Sequence, residues 1–406
     1  MLVAEIALAL VVLAGAGLMT RTMYKIANVD PGFRPDHLLT MRLDLAGPKY
    51  ADNPAQQQAF QSAVLTNVKA LPNVESAAFT LSLPIQGSSW GSVFIVGDQP
   101  VPRAFSLYPE RSQIPSAAFN PVSPEYFRTM GITLLQGRFF AEADGPQSPH
   151  VAIINETMAR RFWPNENPIG KRVKQGWPEW KTPWCEIIGV VADVKLNGVL
   201  ETTPLHVYFP LAQNGSTSLS FVLRTRAEPQ TLTAPVQAAL HAVDNQIPLY
   251  EVRTMDELLG RAVLSQRAAM ILLSAFALVA LLLAAVGIYA VISWGVVQHT
   301  REMGLRMALG ASRSDVMWLV LRRSMLLVLA GVTLGLLGAF AVTRLLGASL
   351  TEGGPGKTPL LFGVKAMDPI TFILTPILLA LVAFLACCLP ARRATKIDPL
   401  VALRYE

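Results

Sequence analysis

Long apolar blocks lie at both ends of the chain, and an alternating pattern of polar and apolar residues lies between them. Four blocks reach about 18 residues or more, the length that crosses a bilayer. They lie near Leu2–Thr20, Ala268–Val297, Ser324–Thr343 and Pro369–Ala391. Between the first two, Leu38–Leu45 alternates and predicts a strand. Pro54–Leu71 places Phe60, Val64, Leu65 and Val68 on one helical face, and Val74–Leu83 predicts a second strand. The pattern returns further on. Leu219–Arg226 predicts a strand, Pro229–Val243 a helix with Leu232, Val236, Leu240 and Val243 on its face, and Ile247–Met255 a strand. Two β-α-β halves, one at each end of the segment, predict a split α+β domain of ferredoxin-like type. The Pro- and Gly-rich stretch between them carries Val151–Asn155, Cys185–Val194 and a short helix over 156–163, which predict an inserted strand-rich subdomain.

The expected fold is therefore membrane α-helical, with four transmembrane helices, plus an α+β extracytoplasmic domain. Residues 1–27 hold the first transmembrane helix and 28–265 the extracytoplasmic domain. Residues 266–406 hold three further spans, with a short helix near 299–311 and a tail at 392–406. Composition agrees: hydrophobic residues make up 52% of the 406 and charged residues 15%, against roughly 25% charged in a soluble domain. Mean hydropathy is +0.39. The first block lacks a basic amino-terminal region and reads as an uncleaved anchor rather than a signal peptide. Glu5, near one end of it, is expected at the membrane interface, with a partner helix as the alternative.

Charge then orients the spans. Arg301, Arg306, Arg313, Arg322 and Arg323 between the second and third spans, and Arg392, Arg393 and Lys396 after the fourth, map to one side. The excess of basic residues places that side, and both termini, in the cytoplasm and the large domain outside. Arg21, Lys25, Arg261 and Arg267 run against this trend. The net charge of +6 suits basic cytoplasmic loops and calls for no nucleic acid.

Several chemistries find no support. Thr351–Thr358 reads TEGGPGKT, close to a phosphate-binding loop, but Thr351 stands where the first glycine belongs and Pro359 follows. A loop joining two spans explains it. The five histidines are scattered, no zinc spacing or G-x-S-x-G elbow occurs, and the three cysteines provide no disulfide framework. No enzyme, cofactor or metal site is expected. The basic pairs Arg160-Arg161 and Lys171-Arg172 read as a solvated face, with a partner-binding patch as the alternative.

The informative stretch is His299–Val316, HTREMGLRMALGASRSDV. Glu302 and Arg306 form an i,i+4 pair. Met303, Met307 and Gly310 share a face, with Leu305 and Leu309 beside it. Gly310 stops that helix, and Ser312 with Asp315 starts another that runs into the third span. Such a helix either lies on lipid or docks into a groove on a soluble partner, and the residues alone favour neither. In the third span Gly331, Gly335 and Gly338 form a small-residue face suited to close helix packing, with a twin subunit or sister half as the expected partner.

At this stretch a resemblance enters. REMGLRMALGAS resembles the coupling segment of MacB/FtsX-type ABC transporter permeases, R-E-[IM]-G-[IL]-R-[KM]-A-[LI]-G-A. The tail LPARRATKIDPLVALRYE resembles their closing motif. NPVSPEYFRTMGITLLQGRFF, VAIINETMARRFWPNENPIGKRV and EIIGVVADVK are similar to their periplasmic core domain, so nearly the whole chain is covered. The nearest subset resembled is the carboxyl half of the duplicated orphan permeases of acidobacteria. A basic cytoplasmic stretch normally precedes the first span there, so the chain is expected to be a truncated frame or a fragment.

The resemblance implies a multi-pass bacterial inner-membrane permease for export or mechanotransmission. It implies a partner ABC ATPase that binds the ATP, a second permease half or homodimer, and contact with membrane lipid. On the matching motif it implies that Arg301, Glu302, Gly304, Arg306, Ala308, Gly310 and Ala311 form the coupling helix. Met303, Leu305, Met307 and Leu309 then lie in the same ATPase-coupling segment, Met303, Met307 and Leu309 as apolar contacts. The alternative function is a membrane-anchored extracytoplasmic sensor or scaffold without transport activity.

Overall fold

The computed structural model describes residues 2–27, 29–45, 47–51, 53–85, 90–97, 115–177, 179–195, 203–298, 313–351 and 368–394. Two compact units emerge: Val29–Val263, and Met1–Asn28 together with Leu264–Glu406. Helix α1 (Leu2–Ala27) opens the chain.

In the inserted unit, β1 (Leu38–Asp44) is followed by α2 (Pro54–Lys69) and β2 (Val74–Thr80). Asn53 caps α2 by accepting from the Gln56 N–H at 3.2 Å, and Pro54 supplies a first position that needs no N–H donor. Strands β3 (Trp90–Val96) and β4 (Ser116–Val122), helix α3 (Tyr126–Met130) and strands β5 (Leu134–Gly137) and β6 (Val151–Asn155) come next. Helix α4 (Glu156–Phe162), strands β7 (Arg172–Gln175), β8 (Trp184–Val191), β9 (His206–Pro210) and β10 (Ser218–Thr225), helix α5 (Thr233–His241), β11 (Leu249–Thr254) and α6 (Met255–Ala262) complete it.

The strand order β11-β1-β10-β2 is antiparallel throughout. With α2 joining β1 to β2 and α5 joining β10 to β11, this is the ferredoxin-like arrangement that the two β-α-β patterns predict. One face buries Met41, Leu43, Phe79 and Phe221 with Phe60 and Val64 of α2 and Val236 and Leu240 of α5. On these strands the alternate residues face away from the helices. Among them Arg224 is buried and donates to the carbonyls of Thr129, Asp36 and Arg34 at 2.8–2.9 Å.

The stretch between β2 and β10 does more than insert strands. The order β4-β3-β7-β8-β6-β9 returns to its start, because β9 also pairs in parallel with β4, from Ala118↔His206 to Val122↔Pro210. A closed ring removes unpaired edges. Phe94, Phe119, Ile154, Ile187, Val207 and Phe209 fill its core. Sequence patterning shows buried strands here but not their closure, which depends on long-range pairing. The basic pairs lie on a solvated face: Arg160 pairs with Glu156, Arg161 lies over the Phe162 ring, and Lys171 pairs with Glu166 at 3.1 Å.

The second unit adds α7 (Leu264–Gln298), α8 (Arg313–Thr351) and α9 (Pro369–Ala394) to α1. Segments Leu2–Ile26, Gln266–Gly295, Met325–Leu345 and Pro369–Cys388 are each long and apolar enough to cross a membrane. Their directions alternate. Ile6 of α1 shares a cluster with Ile288 and Ile292 of α7, Val328 of α8 and Cys387 of α9. Leu18 and Met19 of α1 meet Ala269 and Met270 of α7 instead. The start of α1, the end of α7, the start of α8 and the end of α9 therefore share one end of the bundle.

Candidate functional site

Residues 299–312 lie outside the described residues, and with them Arg301, Glu302, Met303, Gly304, Leu305, Arg306, Met307, Ala308, Leu309, Gly310 and Ala311. The tail 395–406 and the loop 352–367 lie outside them as well. What the structure provides is their anchoring. α7 ends at Gln298 and α8 begins at Arg313, so the candidate coupling segment is held between two helix ends on the same end of the bundle as the start of α1 and the end of α9.

The glycine face of α8 backs onto α1 of the same chain. A Cβ added at Gly331 would stand 2.6 Å from Ile6 Cγ2, and one at Gly335 would stand 2.9 Å from Leu10 Cβ and 3.0 Å from the Ala7 carbonyl oxygen. At Gly338 the nearest atom would be Val11 Cγ2 at 3.4 Å. This corrects the partner expected for the face: α1 occupies it, not a twin subunit or sister half. Spacing identifies a small-residue face but not what approaches it. Glu5 faces a neighbouring helix: it lies on α7, where a Cβ at Gly287 would come 2.6 Å from its Oε2. The room left by Gly287 accepts the carboxylate.

At the opposite end, Arg21 of α1 pairs with Asp368. Asp368 also caps α9, accepting from the Thr371 N–H and Oγ1 at 2.9 Å each. Burial pushes the Asp368 carboxyl up, but the Thr371 N–H and Arg21 together outweigh it, and the net direction is down. Arg21 thus has a structural partner, which accounts for one of the basic residues that run against the charge trend.

In the inserted unit, Asp193 gathers a polar knot. It accepts from Asn155 Nδ2 at 2.7 Å, from the Thr157 N–H at 3.0 Å and from Thr157 Oγ1 at 2.5 Å. Its own carbonyl lies where a Gly32 side chain would be, 1.9 Å from an added Cβ, and Gly32 has φ +83. His206 is buried against the Tyr208 ring at 3.9 Å, and burial lowers its pKa to about 3, so it is neutral and sealed from solvent. Burial pushes the Cys185 thiol up to about 12. A cavity of about 510 Å³ is lined by Arg42, Leu81, Pro121, Gln175, Asn214 and Ser218 among others. Sequence reading singled out neither the cavity, whose residues come from β1, β4, β7, β10 and the loops after β2 and before β10, nor the Asp193 knot, which meets only once β6 pairs with β8. Among the described residues, no group of three or more His, Cys, Asp or Glu is placed to hold a metal.

Comparison with known proteins adds the family. The family described as MacB-like periplasmic core domain matches residues 6–243, and FtsX-like permease C-terminal matches residues 274–399. The macrolide export ATP-binding/permease protein MacB of Bdellovibrio bacteriovorus is 26% identical over 301 residues, covering 70% of this chain and 43% of that protein. The uncharacterized ABC transporter permease YknZ of Bacillus subtilis is 26% identical over 297 residues, covering 71% of this chain and 70% of that one. The chain thus spans under half the length of the macrolide-export relatives that it matches. The crystal structure of the periplasmic region of MacB from Actinobacillus actinomycetemcomitans aligns with 58% of this chain and 95% of that one, at 17% identity and a TM-score of 0.37.

Proposed function

The chain belongs to the MacB/FtsX-type ABC transporter permease family, and from that premise we propose that it couples ATP hydrolysis by a partner ATPase to movement of its extracytoplasmic domain. The observation that carries this reading is the FtsX-like match over 274–399, which contains the R-E-M-G-L-R-M-A-L-G-A segment. A segment that joins the end of α7 to the start of α8 can transmit a push from below to both of them. Met303, Met307 and Leu309 form its apolar contacts with the ATPase, and methionine suits such a surface because it adapts its shape. Arg301 and Arg306 add the charge that favours docking.

The orientation belongs to the same reading. Residues 299–312, the tail and the amino terminus lie in the cytoplasm, and residues 29–263 lie outside, a reading supported by the basic residues around the start of α8 and at the end of α9. A second permease half or a second copy completes the assembly. The ATP is held by the partner subunit, and the chain works as a mechanotransmitter or exporter. Names of relatives point to macrolide and syringafactin export.

The test is a detergent pull-down of the tagged chain from its native membrane, with the retained proteins identified by mass spectrometry. Recovery of an ABC ATPase, lost on Gly310→Pro, supports the coupling role. Stable chain recovered without an ATPase supports the sensor or scaffold reading instead.

A further inference from the structure

A cleft of about 740 Å³ runs between α8 and α9. Met325, Leu329 and Val332 of α8 line it, facing Ile377, Ala380 and Phe384 of α9. Leu329 and Ile377 are 59% and 57% exposed, so among the described residues nothing covers it. One end differs. There Arg322 and Trp318 also line the cleft, with the guanidinium carbon 5.4 Å from the Trp318 ring centroid.

Length and charge decide between occupants. From Arg322 to Val332 a helix rises about 15 Å at 1.5 Å per residue. That is half of a hydrocarbon core of about 30 Å. An apolar helix from another subunit would bring no anion to the Arg322 guanidinium at the end of the cleft. A lipid chain requires the depth of one leaflet, with its headgroup at the end where the charge is. Tryptophan is enriched at the headgroup level, and basic pockets between spans bind anionic headgroups. We propose that this cleft holds one anionic glycerophospholipid, its acyl chain between α8 and α9 and its phosphate on Arg322. On the orientation proposed above, which the site's chemistry does not need, the lipid belongs to the cytoplasmic leaflet, next to the coupling segment.

The experiment reconstitutes the full chain in phosphatidylcholine nanodiscs that carry an equal mole fraction of either brominated phosphatidylglycerol or brominated phosphatidylcholine. The Trp318 signal is isolated as the difference from Trp318→Phe. Phosphatidylglycerol should quench it more strongly, by about fivefold in relative occupancy, the scale expected of one cationic side chain at a membrane surface. Arg322→Gln, at an exposed position, should make the two lipids equal, and Ala380→Phe should reduce quenching by both. Equal quenching in the unaltered chain would mean an ordinary boundary lipid and overturn the proposal. Absence of quenching by either lipid would mean that a protein segment covers the cleft, and would overturn it as well.

Discussion

The two units use the same apolar residue types in opposite ways. In the inserted unit the largest side chains are inside. Phe79 and Phe221 meet at 4.7 Å, Phe119 stacks on Phe209 at 5.6 Å, and Tyr126 and Tyr208 are buried. In the helical unit many small residues are inside: Ala9, Ala14, Ala284, Ala339 and Ala383 are buried beside Ile6, Leu10, Ile288 and Leu379, while Leu282, Leu283, Leu337 and Leu381 are more than half exposed. Of the span at Gln266–Gly295, 17% is buried, against 44% for the span at Leu2–Ile26. Lipid is as apolar as leucine, so sequestering a leucine within the bundle gains little. Close backbone approach through Ala and Gly gains more. Water imposes the reverse order, since burying a phenylalanine removes a large apolar area from it.

That contrast can be broken. Phe221→Ala should have the largest effect on the inserted unit, about 3–5 kcal/mol by loss of burial and cavity formation. Denaturant unfolding of the full chain in micelles, followed by near-ultraviolet dichroism, measures it. Gly335→Leu should cost about 1–3 kcal/mol by overpacking against Leu10 and the Ala7 backbone, read as a lowered melting temperature of the detergent-solubilised chain. Asp368→Ala should cost about 1 kcal/mol through loss of the α9 cap, and more if the Arg21 pair contributes. In the same melting assay Leu337→Ala, 66% exposed, should stay within about 0.5 kcal/mol. A large loss at Leu337 with none at Gly335 would invert the account of the bundle.

Acid sharpens the comparison on the water-facing side. Asp244 accepts from Lys49 Nζ at 2.7 Å, from the Gln246 N–H at 3.0 Å and from Tyr50 Oη at 2.8 Å, and these bonds, Lys49 first, lower its pKa to about 2. A carboxyl depressed in the folded state stabilises fully above its unfolded pKa near 4, and that stability is lost as pH falls through about 2. Asp244→Asn should flatten the stability profile of the inserted unit within that window, with unchanged slope above it. Cys185, whose thiol is shifted up to about 12 by burial, should resist alkylation at neutral pH until denaturant is added.

Legibility in the sequence followed the range of the interactions. The spans were readable because twenty apolar residues in line have few alternatives, and α8 begins at Arg313, next to the predicted Ser312 start. Both β-α-β halves were readable because a period of two and a period near 3.6 are local signals. The closed ring was not, because the β4–β9 pairing joins residues such as Ala118 and His206 that no local pattern connects. The glycine face of α8 was readable, yet its partner α1 was not, for the same reason. The neighbours of Glu5 and Arg21, Gly287 and Asp368, were not legible either, because each lies on or beside a helix distant in sequence. The candidate coupling segment rests on its motif alone, and the described helices on either side of it, α7 and α8, end at Gln298 and begin at Arg313.

The central claim is that this segment transmits force between an ATPase and the spans. Its most direct test is the rate of ATP hydrolysis by the recovered partner ATPase, co-reconstituted in liposomes with the unaltered chain or with Met307→Asp. The account predicts stimulation by the unaltered chain and its loss, about tenfold or more, in the variant, since a carboxylate in an apolar contact costs well over 1.4 kcal/mol. Equal stimulation by the unaltered and Met307→Asp chains would contradict it.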